Sequence, residues 1–306
     1  MTDWTFDNIP PQTGRTAIVT GANTGIGYET ALALARKGAH VILACRDLKK
    51  AEAAVERITA ERPAGSARAR ELDLSDLESV RRFADKFAAE HERLDLLINN
   101  AGVMVPPYSK TAQGFELQFG TNHLGHFALV AHLLPLLRRT PGARLVVVSS
   151  GVHHQGRIDF DDLDFAQRGY SPWRAYAQSK LANLLFALEL QRKLAAAGES
   201  LIVTAAHPGY TATDLQRTAG IARLFNPLFA MRPPQGALPT LRAATDPDAR
   251  AGEYFGPRRF FEMNGPPERA RINRRARDLE VAARLWQVSE QLTGVHFDLD
   301  TRAAAA

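Results

Sequence analysis

The stretch that decides the fold is Thr16-Ala17-Ile18-Val19-Thr20-Gly21-Ala22-Asn23-Thr24-Gly25-Ile26-Gly27. Its first five residues form a short apolar run, which predicts a strand buried on both faces. A helical segment, Tyr28 to Lys37, follows, and then a second apolar run, His40 to Ala44. A tight turn alone would also use these glycines. Strand, glycine turn, helix and strand in this order, however, predict a βαβ unit whose turn binds a phosphate through free N–H groups and the helix dipole.

The residues after the second strand bear on which dinucleotide the turn would bind. An acid at that strand end accepts from a ribose 2′-OH, whereas an arginine neutralises a 2′-phosphate. Here the order is Cys45, Arg46 and Asp47, with Arg46 19 residues beyond Gly27. We interpret this as a preference for NADP(H), with NAD(H) as the alternative, because Asp47 could accept from an unphosphorylated ribose. The residues expected to hold the dinucleotide here are Gly21, Asn23, Thr24, Gly25, Ile26, Gly27 and Arg46.

Residues after three further predicted strands are suited to line the same cofactor, since ligands lie at the carboxyl ends of strands in open α/β sheets. Asp73 could contact an adenine or, with Ser75, cap a helix predicted from Asp76 to about His91. Amides and a glycine after the fourth strand can let the chain pass close to a ribose. Threonines in the turn after the sixth strand could bond a nicotinamide carboxamide. The residues that we expect to line the cofactor after these strands are Asp73, Leu74, Asn99, Ala101, Gly102, Pro208, Gly209, Thr211 and Thr213.

Tyr176 and Lys180 stand four residues apart in a predicted helix, Trp173 to Ala197, and therefore share a face. Lowering the pKa of a phenol from 10 toward neutrality, by about three units, requires about 4 kcal/mol of preferential stabilisation of the phenolate. A neighbouring cation could provide it, although such a pair also arises by chance. Asn122 lies inside another helical pattern, Phe115 to Leu137, where its low propensity indicates a hydrogen-bonding role.

The composition is that of a soluble enzyme-sized protein. A length of 306 residues with 45% hydrophobic content suits one large α/β domain over residues 1–306, with a core at about 13–256 and a C-terminal extension at 257–306. Cys45 is the single cysteine, which excludes an intramolecular disulfide and fits the reducing cytoplasm. Met1 to Pro11 lacks the apolar region of a secretory signal, and we expect no transmembrane anchor.

The charges indicate no nucleic-acid partner, because a net charge of +5 is spread along the chain. One stretch is locally basic, and we expect it to be solvated or ion-paired, with a weak membrane-surface contact as the alternative. Its arginines are Arg258, Arg259, Arg269, Arg271, Arg274, Arg275 and Arg277. The segment from Gly151 to Pro172 places acids near His153 and His154, but their spacing fits no tight ligand set, so we expect no metal.

Six or seven strands alternating with helices predict a doubly wound parallel sheet, the Rossmann fold. After the first two, the predicted strands are Ala67 to Leu72, Leu94 to Ile98, Arg144 to Val148, Leu201 to Ala206 and a short edge strand, Glu253 to Phe255. Over about residues 13–256 the chain resembles the short-chain dehydrogenase/reductase family. The ordered motifs that carry this resemblance are Thr20-Gly21 to Gly25-Ile26-Gly27, Asn99-Asn100-Ala101-Gly102, Asn122, Ser149-Ser150, Tyr176 to Lys180 and Pro208-Gly209. Within the family, Leu43 to Asp47 and Tyr176 to Leu185 resemble the retinol-dehydrogenase-like and protochlorophyllide-reductase-like branch.

The resemblance implies an NADP(H)-dependent oxidoreductase that transfers a hydride between nicotinamide and a carbonyl/alcohol substrate. It implies that Tyr176 is the general acid or base and that Lys180 lowers its pKa and holds the nicotinamide ribose. Ser150 would hydrogen-bond the substrate oxygen, and Asn122 would seat a water that relays protons. Because Ser150 and Tyr176 are 26 residues apart, about twice the commoner family spacing, the segment 151–172 must be an excursion that returns to the site.

Two further interpretations remain open. A dinucleotide-binding sensor or interaction module without turnover is the alternative function, although the four intact catalytic positions argue against it. The mixed apolar stretch from Asp214 to Pro234 favours a lipophilic substrate if it covers the site, and ordinary core cover explains it equally. A homo-oligomer could pair through Leu181, Leu184, Leu185 and Leu188, which core burial would also explain.

Overall fold

The computed structural model describes residues 3–211 and 230–299. Within them, eight strands form one sheet in the order β3-β2-β1-β4-β5-β6-β7-β8. They are β1 Thr16–Thr20, β2 His40–Cys45, β3 Ser66–Glu71, β4 Leu96–Asn99, β5 Arg144–Val148, β6 Ile202–Ala206, β7 Tyr254–Arg259 and β8 Asn264–Arg269. Neighbours from β3 to β7 pair in parallel, and β7 pairs with β8 antiparallel. The strand order reverses between β1 and β4, so the predicted doubly wound fold is confirmed, and this is where such sheets bind ligands.

Helices cover both faces of the sheet. They are α1 Gly25–Arg36, α2 Leu48–Ala60, α3 Leu77–Glu90, α4 Leu117–Phe119, α5 Gly125–Arg139, α6 Pro172–Ala196, α7 Pro233–Thr245 and α8 Leu279–Thr293. The side chains of β1 alternate between the two cores that result, with Ile18 packed on the α3, α5 and α6 side and Val19 on the α1, α2 and α7 side. The apolar runs of the strands therefore reflect burial on both faces.

The predicted edge strand is wrong in its length and its place. β7 extends to Arg259, and β8 lies outside it. β8 reads Asn-Gly-Pro-Pro-Glu-Arg, and its prolines remove two N–H donors. Proline is tolerated in an edge strand, where one side of the backbone needs no partner. Since β8 shows no apolar alternation, periodicity could not reveal it.

Two predicted helices differ in detail. Asp76, rather than Asp73 or Ser75, caps α3, because its carboxylate accepts from the N–H of Glu78 at 3.0 Å. The long helix expected from Phe115 to Leu137 is interrupted by a π-helical turn, Gly120–Leu124, between α4 and α5. Such turns recur at functional sites. Asn122 lies in the middle of this one.

The leucines considered for pairing of two copies belong to the core. Leu181, Leu184 and Leu185 are buried against the sheet, and Leu188 is partly buried. These leucines therefore give no support to the pairing of two copies, and the homo-oligomer stays a prediction. Within residues 3–211 and 230–299, no helix is long and apolar enough to cross a membrane.

Candidate active site

The glycine turn brings α1 against the end of β1. Gly21 and Gly25 have φ of +66° and +58°, which glycine adopts without strain. A Cβ at residue 27 would come within 2.5 Å of the Asn100 side chain and of the Gly21 carbonyl oxygen. Only glycine at this position lets the start of α1 pack so closely on the turn. The turn therefore has the form that a phosphate requires, with a helix N-terminus directed at the carboxyl edge of the sheet.

A buried network ties this turn to the catalytic side of the site. The Thr20 hydroxyl oxygen accepts from the N–H groups of Asn100 and Ala101, both at 2.9 Å, and the Asn100 amide donates to the Thr20 carbonyl at 2.8 Å. His126 lies 2.9 Å from the same hydroxyl through Nε2 and 3.0 Å from the Asn122 carbonyl through Nδ1. Burial lowers the pKa of His126 to about 4, so its ring is neutral at pH 7. Because only Nδ1–H can donate to the Asn122 carbonyl, Nε2 is the acceptor, and Thr20 donates to it.

Asn99 ends β4 with an amide that has no partner within the described residues. The side chain is fully buried, and neither Nδ2 nor Oδ1 forms a hydrogen bond. Buried amides are almost always paired, so an unpaired one needs a reason, such as a water or ligand that completes it. By contrast Asn100, not Asn99, joins β4 to β1. Asn100 therefore fixes the chain at the end of β4 against β1.

Tyr176 and Ser150 meet at the end of β5. The Tyr176 side chain is buried, and it lies beside the Ser150 side chain. Burial raises the pKa of Tyr176 to about 12, and the nearby Ser150 hydroxyl offsets part of that rise. The segment 151–172 does return α6 to the site. Burial thus opposes the predicted lowering of this pKa, and the role of Lys180 in that lowering stays a prediction.

Lys180 lies one turn further along α6 and is almost completely buried. Its Nζ donates to the Val148 carbonyl at 3.2 Å and stands 5.7 Å from the centre of the Tyr176 ring. Burial lowers the pKa of Lys180 from 10.5 to about 8. A Cβ at Gly102 would lie 3.1 Å from Asn122 Oδ1 and 3.5 Å from the same nitrogen, so the chain at Gly102 passes close to both side chains. In this state Lys180 contacts the backbone of β5 rather than the phenol.

Asn122 holds the loop after β4 in place. Its Oδ1 accepts from the Val103 N–H at 2.7 Å, and its Nδ2 donates to the Val103 carbonyl and to the Ser179 hydroxyl, both at 3.0 Å. Both polar atoms of the side chain are therefore hydrogen-bonded within the protein. The backbone carbonyl of Asn122 lies in the π-helical turn, 3.0 Å from His126 Nδ1. A positioning role fits this geometry, while the proton-relay role stays a prediction.

The two serines after β5 point to different sides, as strand alternation predicts. Ser149 donates to the Lys180 carbonyl at 2.7 Å and lies near the Tyr254 hydroxyl. Ser150 instead faces Tyr176 and accepts from the Val152 N–H at 3.3 Å. The second serine is thus the one beside the phenol.

A polar cluster behind Ser150 was missed at the sequence level. His153 is buried, and both its backbone N–H, at 3.0 Å, and its ring Nδ1, at 2.7 Å, contact the Ser150 carbonyl. Burial lowers the pKa of His153 to about 4. Its ring packs edge-on against Tyr254, which in turn packs on His207. His207 lies 3.1 Å from the Glu262 carboxylate in the turn between β7 and β8. The His-His pair, considered only as a metal motif, is what could have indicated this role.

Two acids of the segment 151–172, Asp159 and Asp162, are bonded within the segment, whereas Asp164 accepts from the Glu116 N–H at 2.8 Å. Asp162 accepts from the backbone N–H groups of Ala166, Gln167 and Arg168. Arg168 also pairs with Asp159 at 2.6 Å. In the part of the chain that the structure describes, no group of three or more His, Cys, Asp or Glu residues could hold a metal.

The two charged residues that follow β2, Arg46 and Asp47, have different surroundings. Asp47 caps α2 by accepting from the Lys50 N–H at 3.1 Å, and it pairs with the Lys50 ammonium at 3.0 Å. Arg46 is exposed and forms no ion pair within residues 3–211 and 230–299. Arg57, which the sequence did not single out, donates to the Asn23 carbonyl of the glycine turn at 3.0 Å. Burial raises the pKa of Cys45 to about 11, so its thiol is neutral.

The remaining predicted cofactor residues lie at the same edge of the sheet. Asp73 accepts from the N–H and hydroxyl of Ser75, and Leu74 is buried below Gly125. Gly209 has φ of +65° and packs closely on the Met263 carbonyl. The Thr211 hydroxyl donates to the Pro208 carbonyl at 2.8 Å, so its predicted bond to a carboxamide would require that contact to change. Thr213 and residues 214–229 of the predicted covering stretch lie outside the described residues.

A family model described as short chain dehydrogenase matches residues 15–223. That match covers more than half of the chain, and the chain belongs to the short chain dehydrogenase family. The family predicted from the motifs is confirmed. The protein is accordingly a short-chain NAD(P)-dependent dehydrogenase/reductase.

Among curated relatives, retinol dehydrogenase 13 of Homo sapiens is 45% identical over 294 residues, which cover 92% of this chain and 85% of that protein. Retinol dehydrogenase 12 of Mus musculus is 44% identical over 291 residues, with 93% and 88% covered. The predicted retinol-dehydrogenase-like branch is confirmed.

Two solved structures are similar to this chain in sequence and fold. An uncharacterised protein from Mycobacterium Paratuberculosis is 48% identical with a TM-score of 0.82, and the match covers 97% of this chain and 99% of that one. A short chain dehydrogenase from Shigella flexneri complexed with NADP is 28% identical with a TM-score of 0.65, covering 80% and 97%.

Proposed function

We propose that this protein is an NADP(H)-dependent oxidoreductase that interconverts a lipophilic carbonyl compound and its alcohol. The observation that carries the proposal is the juxtaposition of the buried Tyr176 phenol and the Ser150 side chain at the carboxyl edge of the sheet, where the glycine turn also lies. A phenol in this place can donate a proton to an alkoxide that forms beside it, or remove one from an alcohol. Ser150 would bind the same substrate oxygen, which fixes it next to the phenol.

The chain's own groups fit a nicotinamide dinucleotide. The glycine turn and the N-terminus of α1 would hold its phosphates. The amide of Asn99, which has no partner within the described residues, the backbone at Gly102 and the buried ammonium of Lys180 would face its ribose and nicotinamide half. When bound, the cofactor supplies or accepts the hydride. Tyr176 handles the proton, and Asn122 and His153 hold the loop and the serine that bracket it.

The preference for NADPH over NADH rests on Arg46, which is exposed and unpaired while Asp47 is engaged in capping α2. Replacing Arg46 by Gln should raise the KM for NADPH by about tenfold to a hundredfold, the range expected for a lost charge-assisted hydrogen bond, and leave the KM for NADH nearly unchanged. Initial rates with both cofactors measure this. Arg68→Gln, an exposed arginine on β3, is the matched control and should change neither value.

An equal rise in KM for both cofactors would remove Arg46 from 2′-phosphate recognition. A wild-type KM that is lower for NADH than for NADPH would overturn the NADP(H) assignment itself.

The substrate class follows from the relatives, which are named as retinol dehydrogenases, and from the apolar composition of residues 214–234. We expect NADPH oxidation with long-chain aldehydes or retinaldehyde at a kcat/KM at least about tenfold above that for short aldehydes. The reason is that each methylene buried on binding contributes favourable free energy. A panel of aldehydes, ketones and quinones of graded chain length tests this.

If short polar substrates are turned over best, the lipophilic class is wrong although the reaction type stands. If NADPH binds and nothing in the panel is reduced, the sensor becomes the better interpretation. We further propose that residues 1–306 work as one domain, since β8 and α8 complete the same sheet and core. A reducing compartment such as the cytoplasm suits its single buried cysteine.

A further inference from the structure

The turn between β7 and β8 carries an apolar tip, formed by Phe260, Phe261 and Met263. Their exposed fractions are 64%, 99% and 39%. Large apolar side chains standing together in water mark sites of interaction with another apolar phase. Nothing in the described parts of the chain covers them.

The backbone of this tip is strained. Phe260, Phe261 and Glu262 have φ of +49°, +55° and +63°, three consecutive left-handed residues without a glycine. This conformation is unfavourable for residues with a Cβ. Such strain persists only where the surroundings hold it, and it concentrates at functional positions. Here it projects two phenylalanine rings away from the protein.

The tip is held firmly by contacts to the turn after β6. The Glu262 carboxylate binds His207 at 3.1 Å and accepts from the Arg271 N–H at 2.9 Å. The Met263 carbonyl accepts from the Tyr210 N–H at 2.8 Å. These contacts turn the one acidic side chain of the tip inward. The outward surface is left apolar.

Positive charge surrounds the apolar tip. Arg258, Arg259 and Arg271 are all exposed. Arg258 is paired with Asp3 and Glu268. Arg259 and Arg271 form no ion pair within residues 3–211 and 230–299, so both are available to bind an anion. An apolar wedge bordered by unpaired arginines matches the interface of an anionic bilayer, where acyl chains lie below phosphate groups.

We propose that the β7–β8 tip inserts into the surface of an anionic lipid membrane. Phe260 and Phe261 enter the boundary between headgroups and acyl chains, and Arg259 and Arg271 bind headgroup phosphates. A second copy of this chain fits the surface less well. Across a two-fold axis the same arginines would face each other. Three apolar side chains are also far short of the total of about 1,200 Å² that a stable interface buries. This proposal needs no cofactor and is independent of the proposed function.

Vesicle sedimentation with the full chain tests the proposal. We expect binding to phosphatidylcholine vesicles that contain phosphatidylserine, at least about tenfold weaker binding to phosphatidylcholine alone, and weakening at raised salt. Phe261→Ser should reduce the partition coefficient by about tenfold or more, since it removes one aromatic ring from the membrane. The Arg259→Gln and Arg271→Gln substitutions should each reduce it about fivefold, and only for the anionic vesicles.

Matched controls lie at the opposite end of the sheet. Leu48→Ser removes an exposed apolar side chain at the start of α2, and Arg68→Gln removes an exposed charge from β3. Both should bind vesicles like the wild type. Circular dichroism and NADPH affinity verify that every variant is folded, and neither measurement depends on a membrane.

Three results would overturn the proposal. One is wild-type protein that stays in the supernatant with anionic vesicles, and another is Phe261→Ser that binds as well as the wild type. The third is a concentration-dependent dimer in analytical ultracentrifugation that Phe261→Ser abolishes without any vesicle binding, which would assign the tip to a second copy of the chain.

Discussion

Tyr176→Phe is expected to lower kcat by about 10²- to 10⁴-fold, the contribution usual for a positioned proton donor, with an unchanged dissociation constant for NADPH. The hydroxyl is the only group removed. Ser150 keeps its bond to the Val152 N–H, and the aromatic ring still fills its place against Trp173. Single-turnover rates and a fluorescence titration with NADPH separate the two quantities.

Tyr254→Phe is the matched control for this substitution. It also removes a buried hydroxyl that lies near a serine, but the serine is Ser149, on the other side of β5, and the hydroxyl contacts His153 Nδ1 at 3.5 Å. We expect less than about a tenfold change in kcat, the size of a lost neutral hydrogen bond. Equal losses in the two variants, or full activity in Tyr176→Phe, would refute the proton-transfer role of Tyr176.

Lys180→Met is expected to stabilise the cofactor-free protein while it reduces turnover. The pKa of Lys180 is about 8 in the fold and 10.5 in the unfolded chain. The unfolded chain therefore binds more protons between pH 8 and 10.5, and wild-type stability rises with pH across that window. This difference in pKa corresponds to about 3 kcal/mol. The variant should exceed the wild type in unfolding free energy by about that amount at pH 7, and the excess should disappear by about pH 10.5.

Turnover of Lys180→Met should fall by about 10²-fold or more, because the amine is proposed to support the phenol and the nicotinamide ribose. Denaturant unfolding from pH 7 to 10.5 and steady-state kinetics provide the two measurements. Lys86→Met, which removes an exposed amine from α3, should alter neither. A Lys180→Met protein less stable than the wild type at pH 7 would contradict the burial cost assigned to this amine.

Much of the fold and the positions of the site followed from local sequence. The apolar runs of the central parallel strands are long enough to show burial on both faces. The glycine turn is recognised by the strand before it and the helix after it. β8 could not be found in this way, because its Pro266 and Pro267 resemble a loop. The π-helical turn around Asn122 was hidden as well, since one extra residue per turn leaves no mark in composition.

The chemistry of the site was less predictable than its location. That Tyr176 and Ser150 would meet follows from the order of the motifs. The direction in which the pKa of Tyr176 moves depends on burial, which tertiary packing determines. The pairing of His126 with Thr20 joins residues 106 positions apart. His153 was considered only as a metal ligand, because its contact with the Ser150 carbonyl requires the short 3-10 helical turn Gly151–Gln155.

The antiparallel strand β8 also determines how this sheet ends. An exposed edge strand offers unpaired N–H and carbonyl groups to any other chain, and this is a common route to aggregation. Successive N–H groups of a strand point to opposite sides, so one of the two consecutive prolines of β8 removes an N–H donor from that edge. At the opposite edge β3 carries Arg68 and Glu71. A ninth strand from a neighbouring molecule would meet a missing donor on one side and charges on the other. The sheet is therefore protected at both ends against growth by strand addition.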